Sequence, residues 1–340
     1  MKNIKEGLSY DDVLIVPQYS NIRSRSEISL ESDLGQFLVN SPIISSPMDT
    51  VTEYDMAIAM SREGYLSIIH RYNSITDQVS IVNKAVIGGA NIYYMAAAIG
   101  TGDEAMVRAR ALVDSGIKTI CIDVAHGHHI LVEKILRDMR ENFGRDIHII
   151  AGNIATKEGY IALTRWGADS VRASVGSGSI CSTRIQTGHG VPALETIFEC
   201  SREDGVPIIA DGGIKNSGDI VKALAAGASF VMVGSLLSGT DETPGEVLIT
   251  PDGRFKSYRG MASKDAQMDW RGRQASSEGI ATTVQCKGPV SDVLSDLERG
   301  IRSGLSYSGA RSIKELQKKA IFIRQTGAGQ LESSTHILRR

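Results

Sequence analysis

The residues of this sequence best suited to chemistry gather around one cysteine. Val175-Gly176-Ser177-Gly178-Ser179-Ile180-Cys181-Ser182-Thr183-Arg184 follows the run Asp169 to Ser174 and precedes Gly188-His189-Gly190-Val191-Pro192. It reads as a long glycine-rich loop behind a strand. Glycines permit backbone conformations that other residues resist, and they let amides approach a ligand or ion closely. Cys181 has small polar neighbours and an arginine three residues on, placed to pair with a thiolate, so it is a candidate nucleophile. The plain alternative is a surface loop with an incidental cysteine. Two further glycine-bearing turns, Asp211-Gly212-Gly213-Ile214 and Gly234-Ser235, each follow an apolar run and lead toward a helix whose N-terminus can hold an anion. Either alone could be no more than a tight turn.

These segments need a scaffold. From residue 43 onward eight short apolar runs alternate with amphipathic stretches: Ile43 to Ser45, Leu66 to Ile69, Ile92 to Ile99, Thr119 to Ile122, Ile147 to Ala151, Ser170 to Ser174, Pro207 to Ala210 and Phe230 to Val233. Runs that are apolar throughout, rather than alternating, predict parallel strands buried on both faces. Between the third and fourth runs, Ala105 to Val113 places apolar residues at helical spacing, with Gly116 in the stop position. Eight such units predict an α/β fold, a (β/α)8 TIM barrel, as one domain over residues 1–340. A barrel builds its active site from loops at the C-terminal ends of its strands, with phosphate commonly held after strands seven and eight. Gly212-Gly213 and Gly234-Ser235 fall there. Residues 240–290 then form a polar excursion, predicted to be a lid over the rim. Within it, Leu248 to Phe255 reads as a hairpin turned at Asp252-Gly253. Ser291 to Ser303 and Ser312 to Arg324 are predicted as closing helices, and Thr326 to Arg340 as a mobile or subunit-contacting tail.

Composition narrows the partners. The chain has 340 residues, 22% of them charged, and a net charge of −2, without a basic run or basic-aromatic interleaving, so nucleic acid is not an expected ligand. The N-terminus lacks a signal-peptide core and no window approaches a membrane span, which predicts a soluble, cytoplasmic protein. Cys121, Cys181, Cys200 and Cys286 are widely spaced, arguing against a disulfide framework or structural zinc.

Leu8-Ser9-Tyr10-Asp11-Asp12-Val13-Leu14, Ser45-Ser46-Pro47-Met48-Asp49-Thr50-Val51-Thr52, Ala151-Gly152-Asn153, the Gly176 to Arg184 loop, Ala210 to Ile214 and Tyr258-Arg259-Gly260-Met261 together resemble the IMP dehydrogenase and GMP reductase family. The resemblance implies a purine nucleoside monophosphate at the barrel mouth. Its phosphate would lie against Ser179, Gly212, Gly213, Gly234, Ser235 and Tyr258, its ribose on Asp211, and its base near Ser46, Met48, Gly260 and Met261. Cys181 would add to purine C2, and Asp123 would hold the ribose of a nicotinamide cofactor. It further implies a monovalent cation such as K+ on the carbonyls of Gly176, Gly178 and Cys181, completed by Glu332, Ser333 and Ser334 of a neighbouring subunit in a homotetramer.

Of the two family reactions, the resemblance favours the reductase: GMP to IMP and ammonia, with NADPH. Between Met261 and Glu278 there is no tyrosine and no Arg-Tyr pair, the dehydrogenase flap signature, and the chain has no room for the CBS modules most dehydrogenases carry. Asn21 to Ile28 and Ala275-Ser276-Ser277-Glu278-Gly279 resemble reductase segments, and Thr183 with Glu278 forms the pair that would bring a proton to the departing amine. Ser45 to Thr52, Lys287 to Val293 and the tail are closer to dehydrogenases. Ser182 and Ser177 replace a usual threonine and proline, and the lid lacks the arginine and lysine that reductases carry around the glutamate. An IMP dehydrogenase using NAD, or an enzyme of a modified purine nucleotide, is therefore the alternative.

Three other features compete for attention. Gly100-x-Gly102-x-x-Ala105, with Asp123 further on, imitates a dinucleotide fingerprint, but eight barrel units leave no room for a Rossmann domain. His126, His128 and His129 lack a nearby carboxylate or cysteine partner for metal and read as a solvated loop. Trp270 is placed either to stack on a ligand ring or to pin the lid. A silent nucleotide-binding protein would be expected to have lost Cys181 or Glu278, and a metal-dependent hydrolase needs a carboxylate-histidine cluster that the strand ends do not offer.

Overall fold

The eight apolar runs close on themselves. The computed structural model describes residues 4–35, 37–272 and 277–333. Strands one to eight of the barrel are Ile43–Ser45, Leu66–Ile69, Met95–Ile99, Thr119–Asp123, His148–Ile154, Ser170–Ala173, Ile208–Asp211 and Phe230–Val233. Each runs parallel to its neighbours, and strand eight returns to strand one through Val231–Ile43 and Val233–Ser45. Both faces of each strand are covered, as the unbroken apolar runs require. Ile44, Leu66, Ile68, Ile150, Ile209, Phe230 and Met232 fill the interior, with Leu34 and Val39 of a small N-terminal hairpin (Ser32–Asp33, Leu38–Val39) packed against them. Ile69, Ile99, Ile122 and Ile149 point outward into the helical layer. Burying one such side chain is worth about 1.5–3 kcal/mol.

The helices present matching faces. Ala105–Asp114 buries Ala105, Arg108, Ala109 and Leu112, and Ile130–Phe143 buries Val132, Ile135, Leu136 and Met139, the i, i+3, i+4, i+7 spacing of one helix face. Side-chain caps fix several starts, including Ser74 on Asp77 N, Thr156 on Gly159 N and Ser263 on Ala266 N.

The structure corrects the expectations at five places. Ile92–Tyr94 forms a single 3-10 turn capped by Asn91, so strand three starts at Met95. The lid hairpin forms, but Thr250 pairs with Gly253, which puts Pro251 and Asp252 in the turn. A third strand, Ala281–Gln285, joins it, so the described part of the lid is a small antiparallel sheet (Leu248–Thr250, Gly253–Arg259, Ala281–Gln285) carrying the helix Lys264–Arg271. The first closing helix runs over Val290–Tyr307, whereas the second ends at Lys319; Phe322–Arg324 is instead a strand against Val13–Ile15. Its aromatic and β-branched residues, Phe322 and Ile323, suit a paired strand. Of the tail, Gly327–Glu332 is a short helix, and Ser333 donates to Gly329 O and Gln325 Oε1. Ala275, Ser276 and Ser334 lie outside the described residues.

Candidate functional site

Strand six ends at Ala173 and releases the chain into the glycine-rich loop, which places Cys181 at the barrel mouth. The lid returns to meet it. Ser182 N donates to Glu278 O (2.9 Å) and Ile280 N to Ile180 O (3.0 Å), an antiparallel bridge that lays residues 278–280 along the cysteine loop. Gly260 N also donates to Ile280 O. This stitching brings three side chains into series: the Cys181 thiol donates to Thr183 Oγ1 at 3.1 Å, and Thr183 Oγ1 donates to Glu278 Oε2 at 2.8 Å. A proton thus has a continuous route between sulfur and carboxylate. Arg184, expected beside a thiolate, instead braces the loop by donating to Ser177 Oγ and Val191 O.

Beside Cys181 opens a cavity of about 520 Å³. Its lining includes the residues expected at the barrel mouth: Cys181, Thr183 and Glu278; Ser46, Met48, Gly260 and Met261; Ser179, Asp211, Gly212, Gly213, Gly234, Ser235 and Tyr258; Asp123; Gly176 and Gly178; the tail residues Glu332 and Ser333 do not line it. Gly234 shows how tightly strand-end loops one and eight meet the lid. A Cβ there would lie 3.0 Å from Met48 Sδ, 3.2 Å from Tyr258 Oη and 3.3 Å from Ser46 Oγ. The Tyr258 hydroxyl lies 3.4 Å from Ser179 Oγ, and burial pushes its acidity down, so it remains an O–H donor for an anion. The carbonyls of Gly176 and Cys181 accept no hydrogen bond among the described residues, while Gly178 O accepts from Cys181 N. Such a donor set of open carbonyls suits a monovalent cation.

Sequence reasoning missed the residue at the floor of the site. Arg172, in strand six and 6% exposed, sends Nη1 to Asp123 Oδ1 at 2.6 Å and Nη2 to Asp211 Oδ2 at 2.8 Å. Burial raises the Asp123 carboxyl, but the Arg172 and Arg71 charges outweigh it and hold the group below its ordinary value. Burial and the Asp211 and Asp123 charges likewise oppose one another at Arg172, and the carboxylates win, raising it well above its ordinary value. Below Arg172, burial lifts the Cys121 thiol to about 12, so Cys121 stays a protonated, buried thiol. Asn153 joins the group through a register shift in strand five between Gly152 and Ile154, from which its Nδ2 reaches Asp211 Oδ2 at 2.7 Å. Gly152 is needed there because a Cβ would sit 2.6 Å from Arg172 Cβ. The signal available in the sequence was a lone basic residue inside an otherwise small and apolar run.

A second cavity of about 470 Å³ adjoins the first and shares Cys181, Asp123, Arg172 and Asp211 with it. Its far wall is Trp270, Arg71 and Tyr72. Trp270 meets the Tyr72 ring edge-on at 5.2 Å, so it pins the lid helix to the loop after strand two while still lining the cavity. On the other side Arg259 pairs bidentately with Asp49 and also with Asp269 of the lid helix. A third cavity of about 420 Å³ continues past Arg71, Val124 and Trp270 to Gly100, Thr101 and Gly102. The fingerprint-like glycines therefore belong to the turn after barrel strand three. His129 caps helix Ile130–Phe143 by accepting from Leu131 N, and His128 packs on Trp166. Among the described residues no cluster of His, Cys, Asp and Glu could hold a metal ion, and no helix is long and apolar enough to cross a membrane.

Residues 7–336 match the IMP dehydrogenase / GMP reductase domain. An inosine-5'-monophosphate dehydrogenase of Cryptosporidium parvum is 37% identical over 389 residues, covering 98% of this chain and 96% of the relative. A GMP reductase of Leishmania major is 31% identical over 481 residues, covering 99% and 98%. A solved GMP reductase variant from Trypanosoma brucei, in complex with guanosine 5'-monophosphate, superposes with a TM-score of 0.92 at 32% identity, covering 98% of each chain.

Proposed function

The chain belongs to the IMP dehydrogenase / GMP reductase family of purine nucleotide oxidoreductases, and from that premise we propose that it reduces GMP to IMP and ammonia with NADPH. The observation that carries this reading is the series Cys181, Thr183, Glu278, closed by hydrogen bonds of 3.1 and 2.8 Å in a lid without an Arg-Tyr pair.

The residues divide the work as follows. Ser179, Gly212, Gly213, Gly234, Ser235 and Tyr258 receive the phosphate, Asp211 the ribose, and Ser46, Met48, Gly260 and Met261 the base. Cys181 Sγ adds to purine C2 while its proton passes through Thr183 and Glu278 to the 2-amino group. The C2–N bond then breaks and ammonia leaves, so the thiol hydrogen accounts for the third hydrogen of the ammonia. When bound, NADPH supplies a hydride to C2; Cys181 departs as thiolate as the C–S bond breaks, giving IMP. Covalent attachment thus divides one difficult exchange into two easier ones. The lid sheet and Trp270 close the site over these steps, and water is thereby kept from the attached purine. Asp123 and the adjoining cavities, leading past Trp270 to Gly100–Gly102, offer an extended path for a dinucleotide. The open carbonyls of Gly176 and Cys181, with Gly178, are the proposed K+ site, and the tail is the proposed contact of a tetramer.

The alternative, oxidation of IMP with NAD, is favoured by the dehydrogenase-like segments Ser45 to Thr52 and Lys287 to Val293. Incubating the protein with GMP plus NADPH, and separately with IMP plus NAD, while following reduced-nicotinamide absorbance and ammonia, separates the two. Ammonia formed one for one with oxidised cofactor is expected. XMP formed from IMP faster than any reaction of GMP would establish the dehydrogenase instead.

A further inference from the structure

Arg172 stands between two carboxylates that the functional reading gives to two different ligands. Nη1 donates to Asp123 Oδ1 at 2.6 Å, while Nη2 and Nε converge on Asp211 Oδ2 at 2.8 and 3.2 Å. The three side chains are only 7%, 14% and 16% exposed. Each carboxylate nevertheless keeps an edge for a ligand. Asp211 Oδ1 accepts nothing among the described residues, and Asp123 Oδ2 has only long contacts, 3.5 Å from both Tyr72 Oη and Arg71 Nε. Both carboxylates border both of the larger cavities.

A guanidinium is a planar fork whose donors are fixed relative to one another. When its plane follows a movement of one carboxylate, the donors offered to the other move with it. We propose that Arg172 is a positioning residue that couples the two ribose subsites, so that filling one tightens the other. The proposal rests on the assignment of Asp211 to the substrate ribose and Asp123 to the cofactor ribose. A ribose bound at Asp211 fixes that carboxylate, Arg172 and Asp123 together, and the second ligand then meets an acceptor already ordered. The coupling is reciprocal, as any linkage between equilibria must be.

The purine and nicotinamide rings would also touch directly, so the probe must lack a base. NADPH affinity is measured on the full chain by cofactor fluorescence, alone, with saturating ribose 5-phosphate, and with 2-deoxyribose 5-phosphate, which lacks one of the hydroxyls offered to Asp211. Ribose 5-phosphate is expected to tighten NADPH about fivefold, the lower end of common coupling factors, and the deoxy sugar distinctly less. Arg172→Lys, whose compact ammonium cannot fix both carboxylates in one plane, is expected to lose the difference between the sugars. Equal factors for both sugars in the unaltered protein, or the parental difference retained in a folded Arg172→Lys, overturn the proposal. The sugar comparison decides alone if the variant does not fold. Failure of the unaltered protein to bind NADPH under any condition would sink the functional reading and the coupling with it; NADPH binding that ignores the choice of sugar sinks the coupling only.

Discussion

Thr183 Oγ1 donates to Glu278 Oε2 at 2.8 Å although 95 residues separate them, and the contact exists because the lid segment around Gly279 is hydrogen-bonded to the cysteine loop at Ser182 and Ile180. The hydroxyl faces Cys181 on one side and the carboxylate on the other. On the proposed mechanism, Glu278→Gln keeps the nucleotide bound but slows ammonia release by roughly 10² or more, the range for loss of an acid-base group. Hydride transfer is expected to suffer less, since it needs no proton at the amine. Single-turnover ammonia release from GMP checks the first expectation; hydride transfer, which from GMP can only follow deamination, is read separately in reverse as NADP+ reduction by IMP without ammonia, and an equal slowing of that reverse step contradicts the assignment.

Cys181→Ala is expected to abolish turnover by several orders of magnitude while nucleotide affinity stays within a few-fold. Isothermal titration with GMP beside a turnover assay reads both. Retained activity above a few per cent would remove the covalent step.

Asp211→Ala is expected to weaken GMP binding, and guanosine to bind far more weakly than GMP, because the nucleoside forfeits the charge-assisted hydrogen bonds of the loops after strands seven and eight. Equal affinities for nucleoside and nucleotide would be incompatible with a phosphate site there.

Arg259 clasps Asp49 after strand one and Asp269 on the lid helix. Asp49→Asn keeps the size and removes the charge, and should loosen the lid without unfolding the barrel. Limited proteolysis within residues 260–280 is expected to accelerate several-fold, with the melting temperature little changed and the ammonia-releasing step slowed. Unchanged cleavage would show that Trp270 on Tyr72 suffices to hold the lid.

His148 sits inside strand five with Nε2 2.9 Å from Ser170 Oγ, and burial lowers its pKa to about 4. Its ordinary value is 6.5. Between these values the unfolded chain takes up a proton that the folded chain refuses, so stability falls as pH drops from about 6.5 to 4 and this loss levels off below. The full effect is about 3 kcal/mol. Denaturant unfolding from pH 7 to 4 is expected to show a slope that His148→Gln reduces; identical slopes would mean that His148 accepts its proton while folded.

The barrel is legible in the chain alone, because strands buried on both faces must be apolar throughout and helices covering them must repeat at helical spacing; both patterns are local. The cysteine loop and the glycine-bearing turns after strands seven and eight are legible in the same way, since glycine requirements are written into single residues. Where local pattern was ambiguous it misplaced ends: Phe322–Arg324 carries enough helix-compatible residues to extend the preceding helix, and only Val13–Ile15, more than 300 positions earlier, makes it a strand. The role of Arg172 lay beyond any local reading. A buried guanidinium is tolerable only when anions meet it, and the carboxylates that do so, Asp123 and Asp211, come from strands four and seven, brought into range by barrel closure. In the same way, whether Trp270 would stack on a ligand or pin the lid was undetermined by its neighbours in the chain. Tertiary structure supplied the pinning contact, the edge of Tyr72, and kept Trp270 on the cavity wall as well, because the partners of a side chain are set by which surfaces the fold brings together.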